Sequence, residues 1–467
     1  MRRASFALAL AGLGLSACAM TPPPAAAPLD VTVTKNGEGW TADFTFPRSA
    51  RAWVFTRSAI ARSSNRPWRA RSWTVETPGV TLQRRGRYDV LAAADGGPLP
   101  NHVRVRFTPF GGGLIADYTP ALVFTDGSVA LFSAQFEAFP LGSPQRAERL
   151  PVDLTGIGAA ESPTRVTFRD AEGPLLYQGE RRVSATIEGN GAYVLFGPAE
   201  PAPGEAMATV IDPQLPEWIR ASLLRDTPVL LGRHAEALGP RTGPRPTLMV
   251  AWAGPTPHLT SMGGSVLPGT IVMTYEGEGV LAENAALRRQ GLWFIAHEAA
   301  HFWLGETVAY QYSRDAWITE GGADLLALRA IPAVDPGYDA REMLQSAVND
   351  CAELTLRRGV ASAEQRGEHR AYYACGALFG LVAETASHRP FSDFVRGLID
   401  SNRADRVVTR AEWLAALDQA SGNPALSAAI ARLIDRGAED SKAAIADLLR
   451  RAGVAFTLAG DGTPRLT

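Results

Sequence analysis

The sequence predicts an α+β protein with a β-rich N-terminal domain at residues 30–203, a mixed domain at 204–376 and a helical C-terminal region at 377–467. With 467 residues, the chain is longer than one hydrophobic core usually supports. Residues 30–203 alternate apolar and polar positions in short runs that are broken by Gly, Pro, Asn and Asp, which is typical of antiparallel strands. After Arg341, apolar residues recur mostly at helical spacing.

Each region has its own expected elements. We expect the β-rich domain to form an antiparallel sandwich or saddle. For the mixed domain the patterns predict strands at Thr247–Ala253 and Thr270–Tyr275. They predict helices at Pro216–Leu224, Gly279–Arg289 and Leu292–Trp303. Further along the chain they predict helices at Ala340–Leu356, Ala371–Ser387, Phe391–Ser401, Arg410–Ala420 and Asp440–Ala452.

The N-terminus has the features of a secretion signal. Arg2 and Arg3 precede an apolar segment, Ala4–Leu15, which is too short to remain in a bilayer as a spanning helix. Two small residues then come directly before Cys18. This arrangement resembles a bacterial lipobox, in which the cysteine is lipidated and becomes the mature N-terminus. A plain secretion signal with an incidental cysteine is the alternative.

The lipobox resemblance implies a location in the bacterial cell envelope. Residues 1–18 would be a lipoprotein signal peptide, and the proline-rich residues 19–29 a linker. Because Ala19 rather than aspartate follows Cys18, the resemblance implies a lipid anchor in the outer membrane, facing the periplasm.

The charge balance excludes one class of partner. The formal net charge is −2, and the chain contains no basic run. Nucleic-acid binding proteins usually present a positive field, so we expect no nucleic-acid partner.

Three residues near the middle of the chain could hold a metal and activate water. His297 and His301 are four residues apart, so on a helix both imidazoles face one side and can bind one ion. Zinc accepts such nitrogen ligands, and catalytic zinc sites keep a position open for water. Glu298 lies beside the first histidine, where it can reach that water as a general base. A structural helix is the alternative.

A distal glutamate favours the metal site. Glu320 follows His301 after 18 intervening residues, which resembles the spacing of the gluzincin zinc peptidases, where a second helix brings this carboxylate to the metal. The surrounding sequence is similar to that of the aminopeptidase N family, with matches at His297, Glu298, His301, Trp303, Gly305, Val308, Asp315, Trp317, Glu320, Gly321 and Ala323. This resemblance implies one Zn²⁺, a thermolysin-like catalytic domain and a peptide substrate. The chain departs from the family at Glu306, where asparagine is usual, and at Gly322, where phenylalanine is usual.

Two further site residues are expected nearby. The family stabilises the oxyanion with a tyrosine three positions before a glycine, and Tyr373 with Gly376 matches that pattern, with Tyr372 as the alternative. Asp324 lies four residues after Glu320 and should share its helix face. There it could hydrogen-bond to a ligand histidine and fix its tautomer; an ordinary surface aspartate is the alternative.

The segment GGSVLPG resembles the family's substrate strand. Gly263, Gly264 and Gly269 are retained, so the backbone edge that pairs with an extended peptide is expected to persist. Val266 occupies the position of the glutamate that binds a substrate's free amine in the family. Leu267 replaces the asparagine.

Apart from Cys18, the cysteines are Cys351 and Cys375. In an oxidising compartment this pair could form a disulfide, and two buried free thiols are the alternative.

The interpretation of the whole chain is a zinc metallopeptidase with His297, His301 and Glu320 as ligands, Glu298 as general base and Tyr373 as oxyanion donor. It would resemble aminopeptidase N without the usual amine-anchoring glutamate. The alternatives are a cell-envelope binding or scaffold protein with a non-catalytic zinc site, and a zinc amidase that acts on another amide.

Overall fold

The structure is a computed structural model that describes residues 27–467 except 116, 153, 155, 161, 190, 203, 205 and 244. The predicted signal peptide, Cys18 and most of the predicted linker lie outside the described residues. None of the helices in the described part of the chain combines the length and hydropathy of a membrane span.

In the N-terminal region, 3-10 turns at Ser133–Phe136 and Pro144–Arg149 lie among the strands. Its other elements are β-strands and one α-helical turn. In chain order these are β1 (Leu29–Asn36), β2 (Gly39–Thr45), β3 (Ala52–Phe55), β4 (Ile60–Ala61), β5 (Arg66–Pro67), α1 (Arg69–Ser72), β6 (Trp73–Val75), β7 (Val80–Arg85), β8 (Tyr88–Ala93), β9 (His102–Phe107), β10 (Ala121–Val123), β11 (Val129–Phe132), β12 (Ala138–Leu141), β13 (Thr164–Asp170), β14 (Leu175–Tyr177), β15 (Glu180–Arg182), β16 (Ser184–Glu188) and β17 (Tyr193–Phe196).

The larger sheets of this region pack face to face, as in a sandwich. A six-stranded sheet has the order β16-β13-β1-β2-β9-β6, and its pairs are antiparallel except β1 with β13. Its strands bury alternate residues, so one face is apolar and the other faces solvent. The apolar face packs Phe44 and Phe168 against Phe55 of the β12-β3-β8-β7 sheet and Phe196 of the β10-β11-β17-β14-β15 sheet.

The central region contains a four-stranded sheet covered by helices. Its elements are β18 (Ala208–Ile211), α2 (Glu217–Leu238), β19 (Thr247–Trp252), β20 (Ser261–Leu267), β21 (Thr270–Glu276), α3 (Ala285–Ala300), β22 (Ala309–Tyr310) and α4 (Trp317–Ala330). The strand order is β18-β19-β21-β20, and β20 is the edge strand, antiparallel to β21.

An apolar core joins this sheet to the N-terminal region. Phe132 and Leu195 of the five-stranded sheet pack with Met249, Ala251 and Val272 of the central sheet. The N-terminal sandwich therefore supports the sheet that ends in β20.

The remaining chain is mostly helical. Its elements are α5 (Arg341–Leu354), α6 (Ala363–Arg366), α7 (Arg370–Ser387), α8 (Phe391–Ser401), β23 (Val407–Val408), α9 (Arg410–Ser421), α10 (Pro424–Asp435), α11 (Ser441–Ala452), β24 (Phe456–Leu458) and β25 (Pro464–Leu466). The central and C-terminal regions share one hydrophobic core, which runs from Met207 to Ala452. Residue 376, the expected end of the catalytic domain, lies within α7.

Several predicted helix limits were wrong. Gly279–Arg289 and Leu292–Trp303 were expected as two helices, but one helix, α3, begins after Asn284, whose side chain accepts hydrogen bonds from the first-turn amides. The helix predicted to end at Leu224 continues to Leu238 through Pro228. A proline usually ends a helix, but buried leucines beyond it keep α2 packed on the core.

Candidate active site

The ends of two helices bring the three predicted metal ligands together. His297 lies in the last turn of α3, and His301 follows that helix with helical dihedral angles (φ −65°, ψ −17°). Glu320 lies in the first turn of α4. Of the described residues, only these three gather enough potential ligand groups to share one metal ion, with ligand atoms within 4.8 Å of one another.

The spacing of the ligand atoms fits a small tetrahedral ion. Nε2 of His297 and Nε2 of His301 are 3.0 Å apart, and they lie 3.6 and 3.5 Å from Oε2 of Glu320. Ligands at zinc distances of roughly 2.0–2.2 Å in a tetrahedron are about 3.3–3.6 Å from one another. The triangle formed by the three atoms has that size.

Hydrogen bonds orient both imidazoles for metal binding. His301 donates from Nδ1 to the carbonyl oxygen of Leu304 (2.8 Å), and His297 donates from Nδ1 to Oδ1 of Asp324 (2.9 Å). Because both Nδ1 atoms donate to oxygen acceptors, both Nε2 atoms face the same point and can bind a cation there, either a proton or a metal. Two lone pairs and a carboxylate that face one another need a cation between them, so the donor set suits a metal. Asp324 is buried and contacts the ligand rather than the surface.

The charges of the site perturb one another strongly. Burial lowers the pKa of His297, but hydrogen bonds to Asp324 and Glu320 outweigh it and hold that pKa well above its usual value. Burial raises the pKa of Glu320, but nearby His301 and His297 outweigh it, and the pKa is lowered. The site therefore favours an ionised carboxylate beside positive charge, which is the condition that a bound cation creates.

Glu298 lies beside the ligands and has a different environment. Its side chain is buried, and burial raises the pKa of its carboxyl group more than the neighbouring His297 and His301 lower it. A carboxyl group whose pKa is shifted toward neutrality both accepts and returns a proton readily. Glu298 is therefore suited to proton transfer.

Tyr373 of α7 faces the ligands. Its ring stacks on that of His297 with 5.7 Å between centroids. Burial and the carboxylate of Glu320 raise the pKa of Tyr373 well above its usual value, so the phenol keeps its proton. Tyr372, the alternative from the sequence, packs beside His369.

A glycine contact sets the distance between Tyr373 and Glu320. A Cβ atom on Gly321 of α4 would lie 2.2 Å from Cα of Gly376, and a Cβ on Gly376 would lie 2.2 Å from the carbonyl oxygen of Trp317. The backbones of α4 and α7 can therefore approach this closely only without side chains at the crossing.

The predicted substrate strand runs beside the ligand helix. A Cβ on Gly264 would lie 2.7 Å from the ring of Phe294 in α3, whereas one on Gly263 would meet no atom within 4 Å. Two residues before Gly264 in β20, Met262 lies next to Gly291 of the same helix. Because Gly291, Phe294 and His297 follow one another along α3, β20 runs toward the ligands in the direction of Val266.

A cleft of about 660 Å³ opens along β20. One wall is Ser261–Ser265 of the edge strand, and the other comes from the loop that contains Gly111–Leu114 and Asp117. An extended peptide could pair with this edge.

The N-terminal region contributes side chains that the sequence did not indicate. The hydroxyl group of Tyr118 donates to the carbonyl oxygen of Val266 (3.3 Å). Burial raises the pKa of Tyr118, and the charges of Glu298 and Glu320 raise it further. The guanidinium group of Arg57 stacks on Tyr118 and pairs with Asp117 (2.6 Å). These residues follow no motif or period, so no sequence signal could have found them.

Behind the site, a disulfide joins α5 to α7. Cys351 and Cys375 are both buried, with Cα atoms 4.9 Å apart. Cys375 is two residues from Tyr373, so the disulfide braces the side of α7 that faces away from the ligands.

Comparisons with known proteins place the chain beside aminopeptidase N proteins by sequence and by fold. No protein-family profile matches the chain. A curated relative, aminopeptidase N from Lactococcus lactis subsp. lactis, is 24% identical over 152 residues, which cover 30% of this chain and 18% of that protein. The matched part therefore spans less than one fifth of that relative.

Solved structures show the likeness over most of the chain. An aminopeptidase N family protein from Idiomarina loihiensis superposes with a TM-score of 0.61 at 12% identity, covering 92% of this chain and 79% of that one. An M1 zinc metallopeptidase from Deinococcus radiodurans gives a TM-score of 0.45 at 17% identity, covering 87% and 92%. The superposition with the Idiomarina loihiensis protein confirms the α+β fold, and together with the curated relative it confirms the resemblance to the aminopeptidase N family.

Proposed function

We propose that the chain is a zinc metallopeptidase that hydrolyses peptide bonds with Glu298 as general base. One observation supports this most directly: the ligand atoms of His297, His301 and Glu320 face one point. Glu298 and Tyr373 lie beside that point. A structural zinc needs no neighbouring general base. The buried Glu298 therefore favours an enzyme over a scaffold protein with a non-catalytic zinc site.

The residues divide the chemistry among them. Zinc, when bound, supplies Lewis acidity that polarises a carbonyl group and lowers the pKa of water. Glu298 accepts the proton of the attacking water and passes it to the leaving amine. Tyr373 donates its O–H group to the carbonyl oxygen as negative charge develops there.

Two substitutions separate these roles. Glu298→Ala should keep zinc and lose peptide hydrolysis, whereas Glu320→Ala should lose zinc because it removes a ligand. Zinc content is measured by elemental analysis after dialysis, and activity by mass spectrometry of a peptide-library digest. Near wild-type turnover by Glu298→Ala would contradict the general-base role. Wild-type protein that binds zinc but cleaves no peptide would favour the scaffold or the amidase.

The site is further proposed to lack the amine anchor of a strict aminopeptidase. Val266 offers neither charge nor acceptor, so a substrate ammonium group placed there would lose water without compensation. Two acids near the substrate hairpin are already engaged, because Glu276 accepts a hydrogen bond from Thr256 (2.6 Å) and Glu306 accepts one from Gly269 (3.1 Å). Peptides that are blocked or extended at the N-terminus should therefore be tolerated or preferred.

Free and N-acetylated versions of one peptide series test this proposal. We expect wild-type kcat/KM to be similar for both or higher for the acetylated peptides, and Val266→Glu to shift the preference toward free amines. Efficient wild-type cleavage of the free peptides alone would show that another carboxylate anchors the amine. Glu137, whose pKa is raised by burial and lowered in part by the charge of Arg57, would then be the next residue to replace, because Arg57 stacks on Tyr118.

The cellular location is proposed from the sequence alone. Lipidation of Cys18 would anchor the protein in the bacterial envelope, facing the periplasm. Mass spectrometry of the native N-terminus and membrane fractionation test this. A soluble form with an unmodified Cys18 would contradict it.

A further inference from the structure

We propose that Glu306 is a positioning residue that holds the substrate strand β20 in place against the turn that presents His301. The inference rests on the proposed function, because it assigns a part of the same site. Glu306 belongs to neither the ligand set nor the proton-transfer group.

The side chain of Glu306 binds the turn of the β20–β21 hairpin. Its Oε2 accepts the N–H of Gly269 at 3.1 Å. A Cβ on Gly243 would lie 2.2 Å from Oε1, so the carboxyl group is enclosed from the other side as well.

In the described sheet β20 is an edge strand that pairs with β21. Its C-terminal end is also held by Tyr118, which donates to the carbonyl oxygen of Val266, and the carbonyl oxygen of Gly269 accepts the N–H of Thr247 at 2.8 Å. Glu306 adds the attachment that links this end of the hairpin to the ligand turn.

The backbone of Glu306 belongs to the ligand turn. Its N–H donates to the carbonyl oxygen of His301 at 3.0 Å. In the same turn, the carbonyl oxygen of Leu304 accepts from Nδ1 of His301. One residue therefore connects the turn that orients a metal ligand to the hairpin that would pair with the substrate.

The ligand turn also has an attachment of its own, independent of the Glu306 side chain. Arg406, in the segment after α8, donates from its guanidinium group to the carbonyl oxygens of Glu306 and Thr307. The N–H of Ala309 donates to the carbonyl oxygen of Arg406 at 2.9 Å. Loss of the Glu306 carboxyl group should thus loosen the turn of the hairpin relative to the ligand turn and leave the ligand turn in place.

The charge of the Glu306 side chain and its length can be tested separately by substitution. Glu306→Gln keeps the length and one acceptor oxygen but removes the charge that faces Arg241 and Arg406. Glu306→Asp keeps the charge but is one methylene shorter and cannot span the same distance. A positioning role depends on reach, whereas neutralisation of the two arginines depends on charge.

The experiment measures KM, kcat and zinc content for a cleaved peptide. We expect Glu306→Asp and Glu306→Ala to raise KM by about fivefold or more, with kcat and zinc content within about twofold of wild type. Glu306→Gln should stay within about twofold in KM. Glu384 provides the matched control, because it also pairs with an arginine, Arg329, and accepts a backbone N–H, that of Phe391 (3.2 Å); Glu384→Asp should leave KM unchanged.

The outcomes distinguish the positioning role of Glu306 from charge neutralisation and from failure of the proposed function. Rescue by Glu306→Asp and not by Glu306→Gln, or wild-type KM in all three variants, would overturn the inference. If the wild-type protein cleaves no peptide, the proposed function fails, and hydrogen–deuterium exchange then tests the positioning role alone. The amides of residues 261–276 should exchange faster in Glu306→Asp than in wild type and Glu306→Gln, and equal exchange in all of them would refute the role.

Discussion

The hydrogen bond from His297 to Asp324 should contribute measurably to metal affinity. Asp324 is buried, and its Oδ1 accepts the Nδ1–H of His297 at 2.9 Å. Partners of this kind change metal affinity by roughly 10- to 100-fold when they are removed, which corresponds to about 1.4–2.7 kcal/mol. Asp324→Ala should lie at the upper end of that range because it also leaves a buried N–H without an acceptor.

Asp324→Asn should have a smaller effect, about tenfold, because the amide oxygen still accepts the hydrogen bond without the negative charge. The assay is competition for zinc between the protein and a chromophoric chelator at neutral pH. Asp350 gives the control, since it accepts a hydrogen bond from Arg370 (2.8 Å), which also approaches Asp324 (4.0 Å). Wild-type zinc affinity in folded Asp324→Ala, or an equal loss in Asp350→Ala, would refute the argument.

Three other predictions concern stability and the substrate strand. Replacing Cys351 and Cys375 by serine should lower the free energy of unfolding by about 3 kcal/mol, measured by urea titration; an unchanged midpoint would count against a stabilising disulfide. Gly264→Ala should raise KM or prevent folding, since the new Cβ would lie 2.2 Å from the backbone oxygen of Val272, whereas Gly263→Ala should resemble wild type; similar behaviour of both variants would contradict this. Burial holds the pKa of His234 at about 4 in the folded protein against 6.5 when unfolded, so the unfolded chain binds the proton first as pH falls. Stability should decrease from pH 6.5 toward 4 by at most about 3 kcal/mol, and an equal decrease in His234→Gln would show that this histidine is not responsible.

The parts of the site that were predictable from sequence are those within short segments. His297, Glu298 and His301 share one helical turn, and Glu320 and Asp324 share another, so their relative directions follow from helix geometry. The resemblance to a known family then supplied the contact between the two helices. Tyr373 was found in the same way, through its spacing to a glycine.

The remaining features depend on contacts between distant segments. Tyr118 reaches Val266 across 148 positions of sequence, and no local pattern encodes such a distance. The proposed role of Glu306 was equally hidden, because its partner Gly269 lies in the β20–β21 hairpin, far from the ligand turn in sequence. By contrast, α10 was missed although Asn423 and Pro424 form a recognisable helix start.

The contact between Gly321 and Gly376 has a consequence for how the site can vary. Glu320 is the direct neighbour of one glycine, and Tyr373 is one turn from the other. Any side chain at the crossing would displace Glu320 and Tyr373 together, so the proposed metal binding and the proposed stabilisation of the oxyanion cannot be adjusted separately through these two positions. Double-mutant cycles between Gly376 and Tyr373 should consequently be strongly non-additive. Glycine should be retained at both positions of the crossing, because no other residue fits there.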